Sequence, residues 1–565
     1  MQTPSVEPRE WHFIVVRRLL EPGAWAAPFA ILVAALLIRP AGDFSILDDF
    51  DYSATVQDFL RTGEIRLSDW PSMTLVGQVI WGAAFAKFIG PLQLSLRIST
   101  LTLHALGCLA AYCWLRGRDA SPRLSAFAAL AVATSPETLY FACTFMTDVP
   151  GLAWTLILLF AADRALESAT RPSGLFAGVL GAIAYLFRQT AVIPLLAAIL
   201  IALMHRRFRL AASMALPVIT VAVAHHLWLK QHGVPHHASI PMLSPALLLN
   251  VSELAFRTAR ITATIALYIA PAALLFLPAL KPRTWNGAAA LRFFLIGSAC
   301  VVAAAKLSAF VPYDGQTVFD MGLGADMSFD RAVFAGPSFV IFGCRVSASH
   351  VITVGAAILS LAILAAALPR PRRDPDSTSG LLSLSLLGTV LFAFISGSFY
   401  ERYLLPAWSL AILGLAAYAP APRRTAWIVL IAFSAWGVLG TEDYFRRFAV
   451  VWEALDDLLN RAPAATINGG MEFAGVHHFN PLFRGKPDRV RPYLSNLSDE
   501  ARVDLILPMV LDPYTPYRLR QPFAVAYVLD DTKRVLKHFP YRSWLRTGVV
   551  HSLQRQRLPT PAGGS

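Results

Sequence analysis

Apolar runs close to the length of a bilayer core follow one another from residue 24 to residue 440, and they leave the chain few possible folds. The hydrocarbon layer offers no water to backbone N–H and C=O groups. Spanning segments must therefore close their hydrogen bonds within helices or within a closed barrel. The runs are continuous rather than alternating, which selects helices. Composition agrees: 56% of the 565 residues are hydrophobic and 15% are charged, against about 25% charged in a soluble domain. The expected fold is an all-α polytopic membrane protein with a small C-terminal extracytoplasmic α/β domain.

About thirteen spans are expected, at 24–39, 95–115, 122–135, 150–166, 174–187, 190–204, 210–228, 258–278, 290–309, 349–368, 381–398, 403–418 and 424–440. The formal net charge is +13. Its basic residues gather in short connections: Arg17-Arg18, Arg116 to Arg123, Arg164 to Arg171, His205 to Arg209, Lys281 to Arg283, Arg370 to Arg373, and Arg423-Arg424. With alternating spans, all of these fall on one side. Positive loops mark the cytoplasmic face, so the N-terminus is expected inside and the segment beyond Thr441 outside. Charge that orients a membrane chain gives no reason to expect a nucleic-acid partner. No cleavable signal peptide is expected before the first span, which reads as retained. The five cysteines form no CxxC pair, so neither a disulfide framework nor a zinc site is expected.

Two domains are expected, at 1–441 and 442–565. The second is less apolar. Phe445–Leu459 reads as an amphipathic helix, and 465–468, 503–509, 523–529 and 548–553 read as short strands. Asn468-Gly469-Gly470 reads as a turn before Glu472, and no catalytic role is assigned there.

The chemistry-bearing residues lie in the other set of loops. Asp48, Asp49 and Asp51 follow the first span, and Asp148 opens the fourth. Carboxylates at a membrane boundary are costly unless they bind something. Capping the helix expected at 53–60 accounts for Asp51, and capping the fourth span is the plain reading of Asp148. Arg188 splits one long apolar stretch in two, and Arg402 stands at the end of the twelfth span. Both suit phosphate, because a guanidinium presents a planar fork of donors. Arg97 at the second span is a weaker candidate. The tract His225, His226, His232, His236 and His237 matches no ligand spacing and reads as a solvated loop. Residues 310–347, with Asp314, Asp320 and Asp326, read as a lid.

Asp48-Asp49-Phe50-Asp51-Tyr52 with Arg61-Thr62-Gly63-Glu64, Phe88-Ile89-Gly90 with Arg97, Thr144–Pro150, and Arg402-Tyr403-Leu404-Leu405-Pro406 occur in this order. Together they resemble the motifs of the bacterial family 39-type membrane glycosyltransferases, relatives of the protein O-mannosyltransferases and aminoarabinose transferases with the GT-C fold. The resemblance covers about residues 24–440. It implies a polyprenyl-phosphate-linked sugar as donor and a lipid, glycan or protein acceptor at the periplasmic face of a bacterial inner membrane. It also implies that Asp48 is the general base, with Asp49 its rival, and that Asp148 binds the acceptor or a divalent metal. Arg188, Arg402 and Arg97 would then meet the donor phosphate. One departure stands out. Aminoarabinose-type relatives carry Lys-Pro-Pro after the first-loop helix, whereas this chain has Asp69-Trp70-Pro71-Ser72-Met73. Phosphate binding must then come from elsewhere.

A lipid-linked sugar transporter would instead place ionisable groups mid-span and show internal repeats. A surface-glycan ligase or polymerase would use the long loop 310–347. A non-catalytic binding protein that kept the fold is the remaining alternative.

Overall fold

The computed structural model describes residues 16–68, 70–235, 250–276, 338–341, 344–347, 377–396, 400–419, 421–464, 467–477, 523–526, 533–544 and 547–555, with isolated positions between 355 and 363. Most of them are helical. Among the described residues, four helices are long and apolar enough to cross a membrane: Leu92–Arg116, Asp148–Ser168, Phe208–His232 and Arg424–Leu459. A fifth candidate is the pair Val251–Tyr268 and Ala270–Phe276, bent by 65°. Shorter apolar helices, including Pro122–Ala133, Arg171–Phe187 and Ile193–Met204, complete the bundle. Most of them fall on expected spans to within a few residues; Val251–Tyr268 begins well ahead of the expected 258 and Arg424–Leu459 runs well past the expected 440. The spans expected at 290–309 and over most of 349–368 lie outside the described residues, as does most of the expected lid.

Local chemistry sets the helix ends. Ser121 accepts a hydrogen bond from the Leu124 N–H, with Pro122 in the first turn. Thr170 caps Arg171–Phe187 in the same way through Ser173. The helix Asp49–Thr62 closes on Gly63 at φ 74°, where the missing Cβ removes the left-handed clash.

Three expectations need correction. The stretch between the first two expected spans holds two helices, Asp49–Thr62 and Val76–Ile89, of which only one was expected. The first begins ahead of the expected 53–60, so Asp51 is buried inside its first turn rather than capping it. The histidine tract is not all loop: His225, His226 and His232 lie on Phe208–His232, which runs beyond its expected end, while His236 and His237 lie outside the described residues. Finally, the span at 424–440 and the amphipathic helix at 445–459 are one continuous helix, Arg424–Leu459. Nothing interrupts it, because Gly437 and the buried stretch Gly440–Phe445 pack into the bundle where a break was expected.

That long helix carries the C-terminal segment. Two strands, β1 (Ser338–Ile341) and β2 (Cys344–Ser347), pair antiparallel on their own. A second sheet has the order β3-β4-β6-β5, from β3 (Ile467–Asn468), β4 (Phe523–Ala526), β5 (Lys533–Arg542) and β6 (Thr547–Arg555). β3 and β4 are parallel, and the other pairs are antiparallel. β3, β4 and β6 fall on expected strands, and 503–509 lies outside the described residues. β5 escaped notice because Lys533, Arg534, Lys537 and Pro540 interrupt its apolar alternation. The sheet packs on the helix through Val451, Leu455, Leu458, Ile467, Phe473, Phe539 and Val550, all buried. Polar contacts fasten the same joint. The Ser543 hydroxyl donates to Asp443 Oδ1 at 2.6 Å, and the Trp544 N–H donates to Glu442 Oε2 at 3.1 Å.

Candidate active site

Four charged side chains from distant parts of the chain meet at one end of the bundle. Asp48 ends the loop before Asp49–Thr62, and Asp148 opens Asp148–Ser168. Arg188 sits in extended backbone between Phe187 and the turn Gln189–Val192, and Arg402 lies in the turn Glu401–Leu404. Arg188 Nη1 donates to Asp148 Oδ1 at 2.8 Å and to the Thr147 hydroxyl at 2.9 Å. Arg402 Nη2 donates to Asp48 Oδ2 at 3.3 Å, and its Nε stands 4.0 Å from Asp148 Oδ1. Arg402 therefore bridges the two acids, and Asp148 lies between the two arginines.

The acids differ in exposure. The Asp148 side chain is 1% exposed and that of Asp48 15%. Burial of Asp148 is sustained by its two cationic neighbours, since an unpaired buried carboxylate would be costly. Asp48 occupies the N-cap position of its helix but makes no cap hydrogen bond. Its Oδ1 instead accepts from Trp70 Nε1 at 3.0 Å, and Trp70 leans on Phe50 with ring centroids 5.6 Å apart. The capping role open to this acid is therefore not the one its side chain takes.

The arginines keep donors in reserve. Among the described residues, Arg188 Nε and Nη2 and Arg402 Nη1 make no hydrogen bond. A concavity beside them is lined by Asp148, Gly151, Arg188, Thr190, Arg402 and Tyr403, with Ile193 and Phe392 as apolar wall. The Arg188 guanidinium lies 5.5 Å from the Tyr403 ring centre, and that of Arg402 lies 4.8 Å from the Tyr400 ring centre. Such ring faces favour cations electrostatically. The neighbouring carboxylates hold Arg402 firmly protonated, although burial alone would lower its affinity for the proton. The site thus combines a partly exposed carboxylate with two fixed cations that have unspent donors.

Asp49 and Arg97 lie apart from this group. Asp49 is fully buried, and its Oδ1 accepts from the Ile46 N–H at 2.6 Å. Burial pushes its carboxyl up to about 7, against the opposing pull of Arg97. Arg97 is fully buried too. It donates to the carbonyls of Pro40 and Gly42 at 3.0 and 2.9 Å, and also to that of Phe44. Its guanidinium lies 4.8 Å from the Phe44 ring centre and 5.2 Å from that of Phe445. Arg97 therefore braces the loop that ends at Asp48, and the structure does not bring it to the group of Asp48, Asp148, Arg188 and Arg402. Asp49 is closed off from solvent by the described residues around it.

Trp70 and Gly151 also shape the site, and neither belongs to a motif of the sequence. Trp70 registered only as the departure from Lys-Pro-Pro, and its indole now supplies one partner of Asp48. Gly151 carries no motif. A Cβ there would lie 2.8 Å from Arg188 Cδ, so glycine leaves the arginine its place.

Residues 78–228 match the family model described as dolichyl-phosphate-mannose-protein mannosyltransferase. Over this segment the chain resembles that glycosyltransferase family. The match includes Asp148 and Arg188 but stops short of Asp48 and Arg402. Among solved structures, ArnT from Cupriavidus metallidurans bound to undecaprenyl phosphate is similar at 13% identity and a TM-score of 0.39, covering 96% of this chain and 98% of that one. The apo state of the same protein gives 15% identity and a TM-score of 0.39, with coverage of 93% and 97%. The arabinosyltransferase EmbB from Mycobacterium smegmatis gives 15% identity and a TM-score of 0.33, with coverage of 85% of this chain and 44% of that one. No curated protein sequence matches the chain.

A divalent metal does not fit the residues described. None of them form a cluster of three or more His, Cys, Asp or Glu side chains. Asp148, the acid to which the resemblance assigned a metal, faces two guanidinium groups that would repel a cation.

Proposed function

We propose that this chain is a membrane glycosyltransferase that moves a sugar from a polyprenyl phosphate to an acceptor hydroxyl or amine. The observation that carries the reading is the meeting of Asp48, Asp148, Arg188 and Arg402, which are separated by up to 354 positions in sequence. The family matched by residues 78–228 is named for a sugar linked to a polyprenyl phosphate, which supports the donor class.

The chemistry follows from the placement. Asp48 is the accessible carboxylate of the group, and as general base it takes the proton of the acceptor nucleophile. The nucleophile bonds to the anomeric carbon as the bond from that carbon to the phosphate oxygen breaks. The electron pair leaves with the lipid phosphate. Its growing negative charge meets the unspent donors of Arg188 and Arg402, held in place before the reaction begins. Asp148 keeps both arginines in position, and Trp70 and Arg402 aim the Asp48 carboxylate. The apolar wall of Ile193 and Phe392 suits the first isoprene units. The basic loops read from the sequence favour the opposite side as cytoplasmic, which supports a reaction at the periplasmic face of a bacterial inner membrane. Lipid, glycan and protein acceptors all satisfy this scheme.

The direct test incubates purified protein with synthetic undecaprenyl-phosphate sugars and follows release of undecaprenyl phosphate, with Asp48→Asn alongside. Slow transfer to water makes a known acceptor unnecessary. Release that depends on Asp48 supports donor class and base together. Tight binding of the donor without turnover, in wild type supplied with a range of acceptors, would replace this reading with transport.

A further inference from the structure

The loop that delivers Asp48 is held from both directions. Leu47, immediately before it, has φ 55°, a left-handed conformation that bulky residues seldom adopt. Such a conformation persists only where its surroundings impose it. The three residues before Asp48 are all tied. The Ser45 carbonyl accepts from Trp452 Nε1 at 3.2 Å, the Ile46 N–H donates to Asp49 Oδ1 at 2.6 Å, and the Leu47 N–H donates to Glu472 Oε1 at 3.3 Å.

Two of those three ties come from beyond the membrane bundle. Trp452 stands on the far half of Arg424–Leu459, and Glu472 stands in the first turn of Gly470–His477. They lie 407 and 425 positions from the residues they hold. Glu472 is 5% exposed, so its carboxylate is committed inward rather than offered to an acceptor. Phe473 next to it is buried in the C-terminal core, and Trp452 lies 6.3 Å from the Phe473 ring centre. The C-terminal sheet, the short helix and the long helix thus form one packed body that ends on the Ser45–Leu47 backbone.

We infer that the C-terminal segment is a positioning element of the catalytic site, with Glu472 and Trp452 as the residues through which it sets the place of Asp48. Neither residue touches the reacting atoms. A carboxylate on an amide N–H is a charge-assisted hydrogen bond, and it holds Leu47 where the next residue faces Arg402. Release of that contact lets Leu47 relax to ordinary backbone and carries Asp48 away from Arg402. This also gives the C-terminal segment a part in the reaction that does not depend on acceptor recognition. The turnover half of the test rests on the transferase reading above, and the exchange half does not.

The test compares full-length wild type, Glu472→Ala, Glu472→Gln and Trp452→Phe in detergent. Amide hydrogen exchange is read on peptides covering residues 44–50, and kcat and donor KM are read from release of undecaprenyl phosphate. Glu472→Ala is expected to speed exchange in that peptide on the order of tenfold, with peptides of the Leu92–Arg116 helix unchanged. Its kcat falls on the order of tenfold while donor KM stays within about twofold, because a small displacement of a base costs rate rather than donor binding. Glu472→Gln keeps a carbonyl oxygen for the Leu47 N–H and restores most of both. Trp452→Phe gives a smaller change in the same direction. Unchanged exchange at residues 44–50 in Glu472→Ala overturns the inference. So does faster exchange without loss of kcat, or a rise in exchange spread through the whole bundle. A wild type that releases no lipid phosphate even when supplied with a range of acceptors sinks the transferase reading alone, since the exchange half still decides whether the C-terminal segment holds the loop.

Discussion

Arg402 is the residue whose loss tests the site most directly, because among the described residues it is the cation that stands beside both acids. Its Nη2 is 3.3 Å from Asp48 and its Nε is 4.0 Å from Asp148. At an effective dielectric of about 20, charges at these separations attract by roughly 5 and 4 kcal/mol before desolvation is subtracted. The Arg402 side chain is 18% exposed, so burial offsets much of that attraction. Hydrogen bonds to charged groups retain about 1.5–3 kcal/mol once solvation is counted. Taking about 2 kcal/mol for a lost contact to the leaving phosphate, kcat/KM in Arg402→Gln should fall roughly 30-fold. Arg402→Lys keeps the charge but not the fork, and should fall between wild type and Arg402→Gln. Asp148 keeps Arg188 at 2.8 Å in either variant, so the bundle retains one of its two ties at this point. The assay is release of undecaprenyl phosphate across donor concentrations, with a thermal melt of each variant to show that it is folded. If folded Arg402→Gln keeps donor KM and kcat/KM within about twofold of wild type, the phosphate does not sit against Arg402 and the reasoning fails.

Two further outcomes follow from the geometry. Asp49 has its carboxyl raised to about 7 by burial, so below about pH 4 both folded and unfolded chains hold its proton, and between about 4 and 7 only the folded chain does. Its contribution to stability is therefore complete at low pH and lost as pH rises through about 7, by roughly 4 kcal/mol at most. Asp49→Asn should accordingly melt close to wild type near pH 4 and progressively above it toward pH 7, with a level difference beyond. A difference that stays constant with pH would show that Asp49 does not titrate there. Gly151→Ala places a Cβ 2.8 Å from Arg188 Cδ and must displace that side chain. Donor KM should rise on the order of tenfold with kcat less affected, since fixed placement of the phosphate partner is what is lost. An unchanged KM in titrations with the donor would place the phosphate elsewhere.

The helical membrane class was decided by the sequence alone. A run of about 20 apolar residues has one stable form in lipid, and that condition is local to each run. The same holds for the ends marked by Ser121-Pro122 and Thr170, where a side chain meets backbone groups a few positions away. The candidate residues were also legible by type, because a carboxylate or guanidinium at the end of an apolar run is conspicuous whatever its partners. What each of them does was not legible. Asp48 and Asp49 are adjacent in sequence, yet one faces Trp70 and Arg402 while the other is sealed beneath the loop. Arg97 and Arg188 both stand beside apolar helices, yet one turns both terminal amino groups to three loop carbonyls and the other keeps Nε and Nη2 free beside a concavity. The continuity of Arg424–Leu459 and the reach of Glu472 to Leu47 likewise depend on packing against segments hundreds of positions away. Local sequence determines which backbone form a segment takes and which side chains are costly to leave at a membrane boundary. The partner that offsets each cost is a matter of distance in space, and only the tertiary structure supplies it.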